Sequence, residues 1–130
     1  MAYQISNYSV KVTLVAGADL SAKQYHFVKL NSSGEAIAIA AITDLPVGVL
    51  QNAPLAGQEA EVLVVGGTKL VAGEAVTLPA FLSVTAAGKA DKVATTDTTQ
   101  FVVGQAIVAG GADAEVITAV INCANPTRAN

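Results

Sequence analysis

The stretch Pro46–Val65, PVGVLQNAPLAGQEAEVLVV, returns in looser form as Phe101–Val120, FVVGQAIVAGGADAEVITAV. Gly48 matches Gly104, and Ala60-Glu61-Val62 matches Ala114-Glu115-Val116. Gly104 stands closer to Ala114 than Gly48 does to Ala60, so on this alignment the second copy has lost two loop residues. Each copy is an apolar run, a glycine-bearing loop and an acidic-apolar run, which is how a hairpin is written. A chain that spells one hairpin twice is constrained to a fold made of two related halves.

The rest of the chain fits that frame. Ser9–Val15 alternates, with Val10, Val12 and Leu14 on one side and Ser9, Lys11 and Thr13 on the other, which predicts a half-buried strand. Tyr25–Leu30 is aromatic and β-branched and reads as strand. Asn31–Gly34 is a turn by composition. Glu35–Ile42 alternates isoleucine with alanine. Alanine favours helix, but the strict period of two decides for strand. Pro46 cannot donate to a ladder and ends that segment. Gly66-Gly67 predicts a tight turn after the first hairpin. Ala72–Glu74, Ala86–Lys89 and Thr95–Thr99 are further turns between short strands at Thr68–Val71, Ala75–Leu78, Phe81–Thr85 and Ala90–Ala94. Leu20-x-Ala22 is echoed by Leu70-x-Ala72.

Turns every 8–12 residues or so mark an all-β sandwich or barrel. The expected organisation is an N-terminal arm over residues 1–8, a compact β domain over 9–122 with little helix, and a polar tail over 123–130. Within the domain the repeats are 9–65 and 66–122. The 130 residues suffice for one domain.

Composition limits function. Alanine and valine supply most of the apolar 52% and tryptophan is absent, so the core is thin, its layers close, and a roomy aromatic pocket is not expected. Charged residues are 13%, about half the usual share, which suggests that neighbours cover part of the surface. The net charge is −3 and the seven basic residues are scattered, so the sequence predicts no nucleic-acid partner. No apolar run is long enough to span a membrane, and MAYQISNYSV has no secretion-signal pattern. The single cysteine, Cys123, fits manufacture in a reducing cytoplasm.

Chemistry-bearing groups are few. His26 is the one histidine, and no G-x-S-x-G nucleophile elbow accompanies it, so it reads as a packed side chain. Zinc needs more His and Cys than the chain has. Glu59 and Glu61 match Asp113 and Glu115, each pair at i, i+2 on one strand face. Such pairs could offer oxygens to a hard cation, or serve as edge charge against strand pairing. Gly66-Gly67-Thr68-Lys69 lacks P-loop spacing, and Gly110-Gly111 precedes no helix. No catalytic, cofactor or metal residue is assigned. Tyr3, Ile5, Tyr8 and Val10 are candidate partner contacts, because the N-terminal segment has no place inside the hairpins and an arm can add a strand to a partner.

Leu45–Gln51, its glycine loop, Ala60–Val64, Gly66-Gly67, Phe27–Leu30, Ala72–Val76 and Val103-Gly104 together resemble the head-decoration, or capsid cement, proteins of tailed bacteriophages. The resemblance runs from about Asp19 to Ile121. It implies a compact β-rich domain, commonly a homotrimer, that binds the outside of the expanded capsid, bridges neighbouring major capsid proteins and catalyses nothing. A ligand- or carbohydrate-binding β-module of a fibre or adhesin is the alternative. Its exposed aromatics would have to come from six tyrosines and phenylalanines.

Overall fold

The structure, a computed structural model, describes Ala2 and Ser9–Arg128. Every regular element among these residues is a strand: β1 (Val10–Val15), β2 (Phe27–Leu30), β3 (Ala36–Ala38), β4 (Gly48–Leu50), β5 (Glu59–Val71), β6 (Phe81–Val84), β7 (Ala90–Lys92), β8 (Phe101–Val102), β9 (Gly104–Ala106), β10 (Val116–Asn122) and β11 (Thr127–Arg128). One curled antiparallel sheet runs β3-β2-β4-β5-β10-β9-β6-β7, with β1 also on β5. The all-β class expected from the turn spacing is the class observed.

The sheet turns on β5. Its N-terminal part pairs with β1 and β4, and its C-terminal part with β10. Val65 lies opposite both Val10 and Asn122, where the two long ladders meet. The tight turn expected at Gly66-Gly67 is therefore absent, and the strand passes through both glycines. Two adjacent glycines spell a turn and a bent strand alike, and here the ladder to β10 holds them extended against Ile121 and Val120. Gly66 sits at φ +137°, and a Cβ there would stand 2.6 Å from the Ser9 hydroxyl. Only glycine fits that bend.

Pairings recur along the chain. Val28, Lys29 and Leu30 face Ala38, Ile37 and Ala36, and in the second half Leu82, Ser83 and Val84 face Lys92, Asp91 and Ala90. Ala16 bridges Ala36 as Ala72 bridges Ala90. Gly57 N–H donates to Ala16 C=O as Ala114 N–H donates to Ala72 C=O. β1 on the first part of β5 thus corresponds to the last part of β5 on β10. Leu50 faces Val62 and Ala106 faces Ala119, so with Gly48 matched to Gly104 the second loop is one residue longer, not two shorter. Ala114-Glu115-Val116 is consequently not the spatial counterpart of Ala60-Glu61-Val62. Nor does Leu70 stand for Leu20: it takes the place of Leu14, and Ala72 that of Ala16.

Gly48 and Gly104 are required for a shared reason. A Cβ at Gly48 would lie 2.4 Å from the Leu63 carbonyl oxygen, and one at Gly104 2.5 Å from that of Val120. The neighbouring strand packs onto bare backbone at both places.

The core has two clusters. Ala16, Leu20, Val28, Ala36, Leu50, Ala60 and Val62 fill the first half. The larger cluster fills the second half and joins the two, bringing Phe27, Val49 and Leu63 together with Leu70, Leu82, Val84 and Ile121.

Several segments differ from expectation. Alternation places Val10 and Val12 inward with Leu14, but both are exposed, because the first-half core reaches β1 only at Leu14. β2 begins at Phe27, since Tyr25 takes φ +62° and breaks the extended run. Glu35–Ile42 keeps only three strand residues, because Ala40 and Ala41 donate their N–H groups to the Asp44 carboxylate instead of to a ladder. The segment after Asn122 is not simply a tail: Thr127 and Arg128 pair with Val102 and Phe101.

Candidate docking surfaces

The two halves meet at a joint whose two sides each recur elsewhere on the molecule. On the first-half side it presents Tyr25, His26, Phe27 and Gln51, with Phe27, Val49 and Leu63 fully buried. On the second-half side it presents Thr68, Val71 and the β6–β7 turn. Phe27 N–H donates to Gly88 C=O at 2.7 Å, and Val71 N–H to Tyr25 C=O at 2.9 Å. Gln51 Nε2 donates to Thr68 Oγ1 at 3.0 Å. Gly88, at φ +81°, lies so close that a Cβ would stand 2.7 Å from the Phe27 carbonyl oxygen.

Both sides of this joint have a second, uncovered version. Phe81 holds the place of Phe27, Gln105 that of Val49 and Val120 that of Leu63. Phe27 is 1% exposed and Leu63 0%; Phe81 is 63% exposed and Val120 46%. Phe81, Val120, Val102, Gln105 and Asn125 line an open groove of about 290 Å³. On the other side Val12 stands for Thr68, Val15 for Val71 and Gly34 for Gly88. Val12 and Val15 are exposed, and around Gly34 nothing lies within 4 Å of a Cβ position. A second groove, of about 280 Å³, lies between Leu30, Leu45, Pro46, Val47 and Cys123.

Of the residues singled out as partner contacts, Tyr3, Ile5 and Tyr8 lie outside the described residues. Val10 is placed at the exposed start of β1. His26 is buried in the joint, and burial lowers its pKa. Its Nδ1 lies 3.1 Å from the Gln24 carbonyl oxygen. Cys123 is buried and free, and burial pushes its thiol up to about 12. Such a thiol is a hydrophobe rather than a nucleophile.

The two acidic pairs are not alike. Glu59 and Glu61 share an exposed face of β5, and Glu61 lies 3.6 Å from Lys11. Asp113 and Glu115 precede β10, and Ala114 between them takes φ +67°, so they do not share a strand face as expected. Asp113 pairs with Lys89 at 3.0 Å, and Glu115 accepts the Gly111 N–H. Among the described residues no three His, Cys, Asp or Glu side chains gather as metal ligands would.

One perturbed acid is not legible in the sequence. Burial, and then the neighbouring Glu74 carboxylate, push Asp91 up to about 7. Glu74 and Asp91 are distant along the chain, and they meet where the Ala72–Glu74 segment lies along β7, with Gly73 N–H donating to Ala90 C=O and Lys92 N–H to the Glu74 carboxylate, so no local pattern announces them.

No family model matches the chain, and no curated protein does. Its fold is similar to the crystal structure of the head fiber gp8.5 N base of bacteriophage phi29, with a TM-score of 0.64 and 19% identity. The match covers 88% of this chain and 95% of that one. At that identity the likeness is one of fold.

Proposed function

We propose that this chain is a structural protein of a tailed-phage virion that decorates the outside of the capsid and bridges neighbouring major capsid proteins. The observation that carries the reading is the near end-to-end likeness of fold to a phage head-fiber base. The pattern running from Phe27 to Gly104, which resembles capsid cement proteins, supports it, as do the apolar surfaces left exposed on two sides of the sheet. Such a protein works by binding, so it needs a stiff scaffold and contact surface rather than a reaction centre. It acts as a homo-oligomer, a trimer by that resemblance. The N-terminal arm, with Tyr3, Ile5, Tyr8 and Val10, supplies a capsid contact by strand addition.

The test mixes purified protein with expanded empty heads of the parent phage and separates bound from free by sedimentation. Stoichiometric, saturable binding that raises the temperature at which the heads come apart is the expected result. A protein that stays in the supernatant at every ratio refutes the proposal. Deleting residues 1–7 should lower occupancy; undiminished occupancy removes the arm from the account.

A further inference from the structure

The geometry points to a head-to-tail interface between copies of this chain, in which the Phe81–Val120 face of one copy receives the outer edge of β1 and the Asn31–Glu35 turn of the next. The occupant is identified by the fold itself. The first half carries Phe27, Val49 and Leu63 on a face that is completely covered, and the cover is the second half. The same face of the second half carries Phe81, Gln105 and Val120, and it is open. The covering elements, β5 from Thr68 to Val71 and the turn at Gly88, have their own counterparts in β1 from Val12 to Val15 and the turn at Gly34. These too are open, with Val12 36% and Val15 49% exposed. One copy therefore offers both members of a complementary pair whose fit is already realised once inside the chain.

The internal joint specifies the contacts. Phe27 N–H to Gly88 C=O becomes Phe81 N–H to Gly34 C=O of the next copy. Val15 N–H of the next copy stands where Val71 N–H does, toward the backbone at Pro79, which cannot repeat the φ +62° of Tyr25. Gly34 keeps φ +78°, against +81° for Gly88, so its turn has the shape already needed for close approach. Gln51 and Thr68, hydrogen-bonded across the internal joint, are replaced by Ile107 and Val12, so the copy-to-copy contact exchanges a polar pair for an apolar one at that place. The two surfaces differ, so the contact is heterologous and propagates until it closes a ring or makes a chain. This inference rests on the internal repeat and not on the capsid reading, and it is tested without capsids.

Phe81→Asp and Val15→Asp, each at an exposed position, disable one face apiece. Sedimentation equilibrium of the wild type should show a species larger than a monomer. Either variant alone should associate about thirtyfold more weakly or worse, as loss of an interface anchor does. An equimolar mixture of the two should form a dimer and stop there, since it holds one intact Phe81 face and one intact Val15 face. Unchanged circular dichroism and melting at low concentration would establish that both variants fold. A wild type that remains monomeric at about 100 μM, where even weak association registers, overturns the proposal. So does a variant that assembles like the wild type, or a mixture that yields no dimer.

Discussion

Phe27 and Phe81 occupy one position in two copies of a motif, which makes them a controlled pair for measuring what burial contributes. Truncating Phe27 to alanine removes a ring that is 1% exposed and in contact with both halves. Transfer of the ring and the cavity left behind together cost about 3–5 kcal/mol. Truncating Phe81, 63% exposed, leaves no cavity and should cost less than about 1 kcal/mol. For a chain of this length each kcal/mol moves the midpoint by roughly 4 °C, so Phe27→Ala should melt about 10–20 °C below wild type and Phe81→Ala within about 4 °C of it. Scanning calorimetry at low micromolar protein keeps self-association out of the comparison, and urea midpoints give an independent reading. Equal losses for the two variants would refute the assignment of one face as covered and the other as open. A loss below about 1 kcal/mol for Phe27→Ala would refute the packing at the joint.

Other outcomes follow from the same geometry. Gly48→Ala and Gly104→Ala should each cost about 1–3 kcal/mol in urea unfolding, since the new methyl meets a strand carbonyl; two neutral substitutions would mean that the sheet yields there. The Asp91 carboxyl binds its proton more tightly folded than unfolded, so its contribution is fully present below the unfolded pKa near 4 and is lost as pH rises through about 7. Asp91→Asn should therefore gain stability relative to wild type between pH 5 and 8, by about 1–2 kcal/mol at pH 8 once solvent screening is allowed for, and a pH-independent difference would contradict this. Cys123 should resist a thiol reagent at pH 8 in native protein and react on unfolding, with fast native labelling as the contrary result.

What the chain declares of itself depends on how local the cause is. The match of Gly48 to Gly104 is legible because both glycines answer to one requirement, the carbonyl of an adjacent strand. Alternation gives the strand class, and Asn31–Gly34 its turn. Gly66-Gly67 misleads because its role depends on β10, which arrives only near the end of the chain. Val10 and Val12 alternate as a buried strand does, but inward direction needs something to face, and the first-half core ends at Leu14. The exposed surfaces at Phe81 and Val12 are invisible for a related reason. Phe27 and Phe81 look alike in sequence, and only the way one half rests on the other decides which is covered. Tyr3, Ile5 and Tyr8 qualify as contacts because no hairpin predicted from the sequence claims them, and that criterion passes over Phe81, Val120, Val12 and Val15, each of which belongs to a recognisable strand.

β5 is 13 residues long and belongs to both halves, with no linker between them. At about 3.3 Å per residue it is a covalent beam of roughly 40 Å through the molecule. A tensile load applied across the protein is carried by peptide bonds along this beam and by the β1 and β10 ladders in shear, where many hydrogen bonds resist at once. The halves cannot swing apart on a hinge, because the bend at Gly66 lies inside the strand and is held by the β1 and β10 ladders that meet there. Yielding requires stripping a whole ladder, so under force the chain should hold its length until it fails in one step.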